Sequence, residues 1–369
     1  MEQNQENNIF ESWFGKTVKT PFIISGPCSA ESLSQLTETA RLLAATNKIS
    51  VFRAGIWKPR TRPGSFEGAG EKGLGWLKKA KDETGFRTIV EIAHPKHIDL
   101  CNKYDVDMFW IGARTTSNPF SIQELCEAIK GTDKPVFIKN PVNPDIELWI
   151  GAIERFKNAG ISKIAAIHRG FYPFEKTIFR NMPKWEVAIE LKIRLPHLPV
   201  LCDPSHIAGD RQFLAEISQK ALDLNMDGLM IESHPCPEKA HSDANQQITP
   251  QNLNKLIDSL VFRKPDNAAD DFHSLLNKYR DQIDSLDFQL IDLLSKRMNV
   301  VEKIGLLKKD NAITILQLRR WQDIIKSRTK YGLKLGLSEE LVEKLLGFIH
   351  KESIQKQTDI MNDRKNQEK

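Results

Sequence analysis

Short runs of β-branched and aliphatic residues recur from Phe22 to Glu232, with longer polar segments of helical character between them. The runs return at intervals of roughly 20 to 35 residues, which leaves room for a helix after each one. We predict eight strands, at Phe22–Ser25, Ser50–Arg53, Thr88–Ile92, Met108–Ile111, Val136–Lys139, Ile164–Ile167, Pro199–Cys202 and Leu229–Ile231. Eight strands alternating with helices over about 240 residues are typical of an α/β fold, the (β/α)8 or TIM barrel. Its active site lies at the C-terminal strand ends.

The alternation ends at a segment rich in proline, asparagine and charge. This segment, Val261-Phe262-Arg263-Lys264-Pro265-Asp266-Asn267, has the composition of a linker. We therefore predict a barrel domain over 1–262, a linker over 263–270 and an all-α domain over 271–369.

An apolar stripe at helical spacing follows the linker. It consists of Leu276, Tyr279, Ile283, Leu286, Leu290 and Leu293, continued by Val300 or Val301, Ile304 and Leu307. The stripe predicts one helix of roughly 36 residues, about 54 Å long, which cannot bury its apolar face alone. Two further helices are predicted at Leu316–Tyr331 and Ser338–Lys356, the second with Ser338 as N-cap.

Composition narrows the class of protein. Hydrophobic residues make up 40% and charged residues 27%, which is ordinary for a soluble globular chain. No apolar run approaches the roughly 18 residues of a membrane span, and the first residues do not form a signal peptide, so we expect a cytoplasmic protein. The five cysteines include no C-x-x-C pair, and a net charge of +5 is too mild to indicate a nucleic-acid partner. It favours small anionic substrates.

The predicted strand ends carry ten residues that bind metals or anions. One set offers a thiol, an imidazole and two carboxylates, which suit a divalent Mn²⁺, Fe²⁺, Co²⁺ or Zn²⁺ ion. The other set is cationic and, if unpaired, is suited to phosphate and carboxylate groups. The first set is Cys28, His206, Glu232 and Asp243; the second is Arg53, Lys58, Arg60, Arg114, Lys139 and Arg169. Any one of these has an ordinary structural explanation, but ten at seven of eight strand ends point to an active site.

Six sequence motifs at these positions resemble those of the 3-deoxy-D-arabino-heptulosonate 7-phosphate (DAHP) synthases over nearly all of residues 15–262. The motifs are G-P-C-S from Gly26, K-P-R-T from Lys58, G-A-R from Gly112, R-G from Arg169, D-P-S-H from Asp203 and E-x-H from Glu232.

The resemblance implies a role for each residue of the two sets. The thiol, imidazole and carboxylate set binds the metal. Phosphoenolpyruvate is held by Arg53, Lys58, Arg114, Lys139 and Arg169, and erythrose 4-phosphate by Arg60, Thr61 and Asp243. Lys58 and Arg60 are the expected catalytic residues of the barrel.

A sister family that condenses phosphoenolpyruvate with arabinose 5-phosphate is the alternative for the barrel. It shares the fold and most of the anion site, but its members typically read K-A-N-R where this chain reads Lys58-Pro59-Arg60-Thr61. The motif favours erythrose 4-phosphate. Whether His168, which precedes Arg169, touches substrate stays open.

Two cations interrupt the apolar face of the long helix. Arg297 stands between Leu293 and Val301, where the stripe calls for a hydrophobic residue, so we expect it to be buried against an anion. Lys308 follows 11 residues later, about 16 Å along the axis and about 20° around it, so both lie on one face. A pair of ordinary surface cations with buried stems is the alternative.

The spacing of six polar residues resembles that of the all-helical chorismate mutases over residues 275–357. The resemblance implies that the arginines hold the two carboxylates of chorismate, while Lys308 and Gln357 act on its ether oxygen as the catalytic pair. The six expected chorismate or prephenate contacts are Arg280, Arg297, Lys308, Arg320, Ser353 and Gln357.

The separation of two of these arginines predicts a homodimer. Arg280 and Arg297 are 17 residues apart, roughly 25 Å along one helix, too far to meet on one small molecule. Arg280 is therefore expected to reach the site of a second chain, through residues 270–357, as in the intertwined dimers of that family.

The helical domain departs from the family pattern at two positions. Trp321 stands where glutamate is common, and Gln317 where aspartate is frequent. The alternative function is a non-catalytic module that binds prephenate or chorismate and exerts allosteric feedback on the barrel.

Overall fold

The structure is a computed structural model. It describes residues 9–14, 18, 20–58, 64, 66–175, 177–263 and 270–362, without the side chains of 270–274. Internal contacts divide the chain into two compact units, Met1–Pro265 and Asp266–Lys369. None of the helices in the described ranges combines the length and hydrophobicity that a membrane crossing requires.

The first unit is a closed barrel of eight parallel strands in sequence order. The strands are β1 Phe22–Gly26, β2 Val51–Ala54, β3 Arg87–Ile92, β4 Met108–Ile111, β5 Val136–Lys139, β6 Ile164–His168, β7 Val200–Cys202 and β8 Gly228–Glu232. β1 pairs with β8, with Gly26 opposite Glu232, and this pairing closes the barrel. The predicted fold class is confirmed, and each predicted strand lies within one residue of the observed one.

Helices surround the barrel and fill the connections between strands. They are α1 Ile9–Phe14, α2 Leu33–Thr46, α3 Glu71–Thr84, α4 Pro95–Lys103, α5 Ala113–Thr116, α6 Pro119–Ile129, α7 Ile146–Asn158, α8 Trp185–Arg194, α9 Pro204–Ala208, α10 Leu214–Asp223 and α11 Pro250–Ser259. Short 3₁₀ turns lie at Arg211–Phe213, Pro237–Lys239 and Ala244–Gln246.

The strands are mostly apolar on both faces because both faces are buried. In β4, Met108 and Trp110 belong to the barrel interior, while Phe109 and Ile111 pack in the outer layer against the helices. This double burial explains why the strands read as continuous apolar runs. At the N-terminal end of the barrel, the buried Phe10 of α1 stacks on Phe22 with ring centres 4.1 Å apart.

The second unit consists of three helices, α12 Asp270–Asp310, α13 Leu318–Lys334 and α14 Glu339–Asn362. Helix α14 packs against both α12 and α13. Ser338 caps α14 as predicted, because its Oγ accepts a hydrogen bond from Leu341 N over 3.2 Å. Gly305 permits the close approach of α12 and α14, since a Cβ there would lie 2.9 Å from Ile360 Cδ1.

The first half of α12 leaves its apolar stripe uncovered. Tyr279, Ile283, Leu286, Leu290 and Leu293 are each more than half exposed, whereas Val301 further along is 6% exposed. The partner helices α13 and α14 therefore cover only part of the stripe. An exposed apolar face of this length is the mark of an interface.

Candidate active sites

A close backbone contact sets the loop after β1 on the C-terminal rim of the barrel. Gly26 has a φ of 150°, and a Cβ added to it would lie 2.0 Å from the carbonyl oxygen of Arg53. Only glycine allows this approach. Cys28 follows, and its backbone N donates a hydrogen bond to Gln247 Oε1 over 2.9 Å. The loop after β1 is therefore held to the loop after β8.

Arg53 and Lys139 lie buried over the ring of Trp110. Their exposed fractions are 1% and 4%, and their charged ends lie 4.8 Å and 5.8 Å from the ring centre. Each has a carboxylate partner: Arg53 Nη2 lies 3.1 Å from Glu232 Oε1, and Lys139 Nζ lies 2.7 Å from Asp203 Oδ2. Both cations are therefore paired within the protein, as a charge buried this deeply requires.

Arg53 nevertheless keeps donors that the protein does not use. Its Nε and Nη1 are buried and have no hydrogen-bond acceptor within the described ranges of the chain. Buried donors without acceptors are costly. An anionic ligand would satisfy them.

Arg169 extends this cationic surface past the end of β6. Its backbone N donates to Asn140 Oδ1 over 2.7 Å, and its Nη1 donates to Asn181 Oδ1 over 2.8 Å. Burial lowers the pKa of Arg169 to about 10, and the charges of Arg180 and Arg114 act in the same direction. Arg114 is exposed. Arg114 and Arg169 are thus electrostatic neighbours.

Lys58 joins the cationic set to the predicted metal ligands. Its Nζ donates to Cys28 Sγ over 2.8 Å. Burial lowers the pKa of Lys58, but the charges of Cys28 and Glu232 raise it above its ordinary value. Arg60 and Thr61 lie outside the described residues.

The four predicted metal ligands stand as two pairs. Cys28 Sγ donates to Asp243 Oδ2 over 3.2 Å, and His206 Nε2 lies 3.9 Å from Glu232 Oε1. Across the described part of the chain, no three or more His, Cys, Asp or Glu side chains are arranged to hold a metal ion. The four are nevertheless electrostatic neighbours, since the charges of Glu232 and Asp243 act on Cys28 and that of His206 acts on both carboxylates.

Burial and neighbouring charge set the protonation of these groups. Burial and the negative charge of Glu232 raise the pKa of the Cys28 thiol to about 12. Burial also raises the pKa of Asp243, but the charges of Arg180 and Lys58 outweigh it and keep this pKa below its ordinary value. The result is a neutral thiol beside ionised carboxylates.

Asp203 is a site residue that the analysis of the sequence did not assign. Its Oδ2 lies 2.8 Å from His206 Nδ1 as well as contacting Lys139. Burial raises the pKa of Asp203, but the charges of His206 and Lys139 lower it well below its ordinary value. A carboxylate at the first position of D-P-S-H, directly after β7, was the available signal.

Arg180 and Gln246 connect the carboxylates to each other and were also missed. Arg180 Nη1 donates to Asp243 Oδ1 over 2.9 Å and to Gln246 Oε1 over 2.6 Å. Gln246 Nε2 in turn donates to Glu232 Oε2 over 2.7 Å. Both residues lie in loops, where the sequence carries no periodicity that could place them.

Glu91 is a fourth missed residue, on strand β3. Its Oε2 accepts a hydrogen bond from Trp110 Nε1 over 3.1 Å. Its Oε1 occupies the space that a side chain on Gly112 would need, since a Cβ there would lie 2.1 Å away. The sequence feature that could have identified Glu91 is a carboxylate between the apolar residues Val90 and Ile92 of the strand.

His168 faces away from the substrate side of the barrel. Strand β6 alternates, with Ile167 in the barrel interior and Ala166 in the outer layer, so His168 points outward. Its ring lies 5.2 Å from that of Trp185 and 6.5 Å from that of Trp149. Burial lowers the pKa of His168 to about 3. The open question on this residue is answered: it belongs to the helix layer.

In the second unit, α12 and α14 bring three of the predicted contacts together. Arg297 Nη1 donates to Ser353 Oγ over 2.7 Å. Gln357, one turn further along α14, is buried, and its Oε1 has no partner among the described residues. Arg297 itself is exposed. The expectation that it is buried is wrong, because α13 and α14 cover only part of α12.

The remaining predicted contacts differ in their surroundings. Lys308 is partly buried, donates a hydrogen bond to the carbonyl oxygen of Ile315, and has its pKa lowered by burial. Arg280 and Arg320 are both exposed. Trp321 stacks on His350, with ring centres 3.9 Å apart and an angle of 9° between the planes. No pattern in the sequence indicated His350.

Family models match both units. The model of the DAHP synthetase I family matches residues 11–262, and that of chorismate mutase type II matches residues 279–358. A phospho-2-dehydro-3-deoxyheptonate aldolase of Thermotoga maritima is 36% identical over 245 residues, covering 64% of this chain and 70% of that protein. A 2-dehydro-3-deoxyphosphooctonate aldolase of Desulfotalea psychrophila is 28% identical over 259 residues, covering 65% and 88%.

Solved structures agree with the sequence relatives. The crystal structure of the Thermotoga maritima DAHP synthase superposes with a TM-score of 0.58 at 35% identity, covering 64% of this chain and 67% of that one. A truncated form from the same organism gives a TM-score of 0.56 at 32% identity, with 64% and 84% covered. The chain therefore belongs to the DAHP synthetase I family and carries a chorismate mutase type II domain after its barrel.

Proposed function

We propose that the barrel condenses phosphoenolpyruvate with erythrose 4-phosphate to DAHP and phosphate, and that the helical unit converts chorismate to prephenate. The observation that carries the first reaction is the buried guanidinium of Arg53, whose Nε and Nη1 have no acceptor within the described ranges. A dianionic ligand placed there satisfies both donors and adds negative charge to a surface that already carries Lys139 and Arg169.

The cations have a positioning role in the condensation. Arg53 and Lys139 are fixed by Trp110 and by their carboxylate partners, so they hold the phosphate and carboxylate of phosphoenolpyruvate without reorganising. Arg169 and Arg114 are proposed to add two further cations that bind phosphoenolpyruvate. Such preorganised charge holds the methylene carbon of phosphoenolpyruvate in line with the aldehyde, and this positioning is a main source of the rate gain for bond formation.

The residues of the predicted metal set fit a divalent cation in donor chemistry. Glu232 Oε1 is buried and accepts no hydrogen bond from the described residues, and a thiol, an imidazole and two carboxylates suit Mn²⁺, Fe²⁺, Co²⁺ or Zn²⁺. Cys28, His206, Glu232 and Asp243 are therefore the proposed ligands. When bound, the cation supplies Lewis-acid polarisation of the aldehyde oxygen. Asp203 Oδ2 lies 2.8 Å from His206 Nδ1 and occupies that side of the ring, so Nε2 is the nitrogen proposed to bind.

Carbon–carbon bond formation leaves a cationic centre on the former enol carbon. Water adds to that centre, and the phosphate leaves by cleavage of the carbon–oxygen bond. Lys58, whose Nζ donates to Cys28 Sγ, links the proposed anion site to the proposed metal ligands. With Arg60, which the Lys58-Pro59-Arg60-Thr61 motif assigns to the aldose phosphate, it is the proposed catalytic residue.

The choice of aldose is tested by substrate exchange. The relatives include both heptonate and octonate aldolases, and the motif at Lys58 favours erythrose 4-phosphate. Phosphate release from phosphoenolpyruvate should be fast with erythrose 4-phosphate and negligible with arabinose 5-phosphate. Comparable rates with both sugars would make the barrel an octulosonate-forming enzyme.

The mutase reaction requires a compact bound conformer of chorismate and hydrogen-bond donors at its ether oxygen, but no nucleophile. Arginines at 280, 297 and 320 are proposed to hold the carboxylates, with Ser353 fixing Arg297. Lys308 is proposed to stabilise the negative charge that grows on the breaking ether bond. Gln357 Nε2 donates to Ser353 O over 3.2 Å, and the second N–H of this amide is the donor proposed for the ether oxygen.

We propose a homodimer formed through α12. The occupant of the exposed stripe is a second copy of this helix, because the stripe runs from Tyr279 to Leu293 without a partner in the described part of the chain. Arg280 lies on this uncovered half and would enter the partner's site. Sedimentation of the full chain should give a dimer, and replacing Leu286 and Leu290 by glutamate should give monomers.

A regulatory role for the second unit is the alternative, and the two roles are compatible. The units stand at opposite ends of one pathway, so prephenate bound at the second could reduce turnover at the first. A cytoplasmic location is proposed, in keeping with five cysteines that are all free.

A further inference from the structure

Trp321 and His350 form one wall of the cluster around Arg297. Their rings stack with centres 3.9 Å apart and planes 9° apart, and they join α13 to α14. On α14, His350 precedes Ser353 by three residues and Gln357 by seven, so the three share one helix face. His350 therefore lies on the face that holds Arg297.

The imidazole of His350 stands beside the cations of this site in its neutral form. Burial lowers the pKa of His350, and the charges of Arg297 and Lys308 lower it further. A neutral imidazole has one donor and one acceptor nitrogen. Its Nε2 is buried, and no side chain or backbone group in the described ranges is bonded to it.

The chemistry of the proposed substrate leaves one polar group without a partner. Chorismate carries two carboxylates, an ether oxygen and a ring hydroxyl. The arginines match the carboxylates, while Lys308 and Gln357 match the ether oxygen. The hydroxyl is neutral and both donates and accepts, as a neutral imidazole does.

We propose that His350 Nε2 forms a hydrogen bond with the ring hydroxyl of the mutase substrate, and that Trp321 acts as a positioning residue by fixing the imidazole plane. This inference rests on the proposed mutase function. Trp321 has no carboxylate that could bind the hydroxyl, so we assign this polar contact to His350, on which Trp321 stacks.

The test is a comparison of chorismate with an analogue in which hydrogen replaces the ring hydroxyl. His350→Leu removes the nitrogen, and His350→Gln keeps a hydrogen-bonding group. For chorismate, His350→Leu should lower kcat/KM by about tenfold, which is the loss expected when one hydrogen bond to the substrate is removed. For the deoxy analogue, it should change kcat/KM by less than about twofold, since the contact is absent there.

Controls separate positioning from folding. Trp321→Phe keeps an aromatic ring and should retain most of the preference for the hydroxyl, whereas Trp321→Leu should lose part of it. His350→Gln should restore some of what His350→Leu loses. Equal losses on both substrates in His350→Leu would overturn the inference, because a general structural defect does not distinguish them.

Failure of the mutase function can be told apart from failure of this inference. Arg297→Ala should abolish binding of both compounds. If the wild-type protein binds chorismate without consuming it, calorimetry of both compounds replaces kinetics. A hydroxyl preference that His350→Leu removes would then uphold the contact while the turnover proposal fails. No hydroxyl preference in the wild-type protein would refute the contact.

Discussion

Arg53 Nη2 lies 3.1 Å from Glu232 Oε1, and the two side chains are 1% and 0% exposed. This contact joins a residue of the predicted anion site to a residue of the predicted metal site. With the ion pair of Lys139 and Asp203 and the hydrogen bond that Lys58 donates to Cys28 Sγ, it makes the barrel rim one network of paired polar groups. Each cation is therefore held in place before substrate arrives.

Removing Asp203 should be costly, because it is the shared partner of Lys139 and His206. Asp203→Asn leaves a buried lysine without its anion, and we expect a loss of about 3 to 5 kcal/mol in the free energy of unfolding. Denaturant unfolding measures it. The matched control is Asp258→Asn, whose exposed ion pair with Lys48 should contribute less than about 1 kcal/mol. Equal effects of the two substitutions would contradict the account.

His168 should make the stability of the barrel fall in acid. Its pKa in the folded protein is about 3, below the ordinary value of 6.5, because of burial. The unfolded chain therefore binds the proton more readily, and stability is lost as the pH falls below about 6.5. Between pH 6.5 and pH 5 the loss is about 1.5 kcal/mol.

His168→Leu should remove this part of the pH dependence, as followed by the thermal midpoint from pH 5 to pH 7.5. His197→Leu, at an exposed position, serves as the matched control. An unchanged acid slope in His168→Leu would show that the imidazole is not the group responsible.

Removing metal with a chelator should inhibit the barrel reaction but not the mutase reaction. If Cys28, His206, Glu232 and Asp243 bind a cation, a chelator should abolish phosphate release and leave chorismate consumption intact. Adding Mn²⁺, Fe²⁺, Co²⁺ or Zn²⁺ should restore it. Cys28→Ala should weaken metal binding, measured by calorimetry, while Cys126→Ala in the helix layer should not. Full phosphate release after chelation would refute the metal assignment.

Mixing two inactive variants tests the shared site of the dimer. Arg280→Ala and Arg297→Ala should each abolish chorismate consumption. After subunit exchange, half the dimers are mixed and each has one intact site, so about a quarter of the wild-type activity should return. If Arg280 and Arg297 act within one chain, mixing will restore nothing.

The sequence predicted what depends on local pattern and missed what depends on tertiary contact. The strands followed from apolar runs, and Cys28, Lys139 and Glu232 followed from their positions at strand ends. Arg180 and Gln246 reach the site from loops, whose course no periodicity encodes. The contact proposed for His350 depends on its stacking on a residue of another helix, which no local pattern encodes.

Two features of the charged residues could not be predicted from the sequence, for a common physical reason. The sequence shows how many cations meet at the rim, but not that Glu232 and Asp203 lie within ion-pair distance of them. Likewise, the apolar stripe around Arg297 suggests burial, but in one chain α13 and α14 cover only part of α12.

The most direct test of the central claim is to follow phosphate release and chorismate loss with one preparation of the full-length protein. The account predicts both activities, with Arg53→Ala losing phosphate release alone and Arg297→Ala losing chorismate consumption alone. Chorismate that binds but is never consumed would make the helical unit a regulatory module. No phosphate release with phosphoenolpyruvate and erythrose 4-phosphate would contradict the account of the barrel.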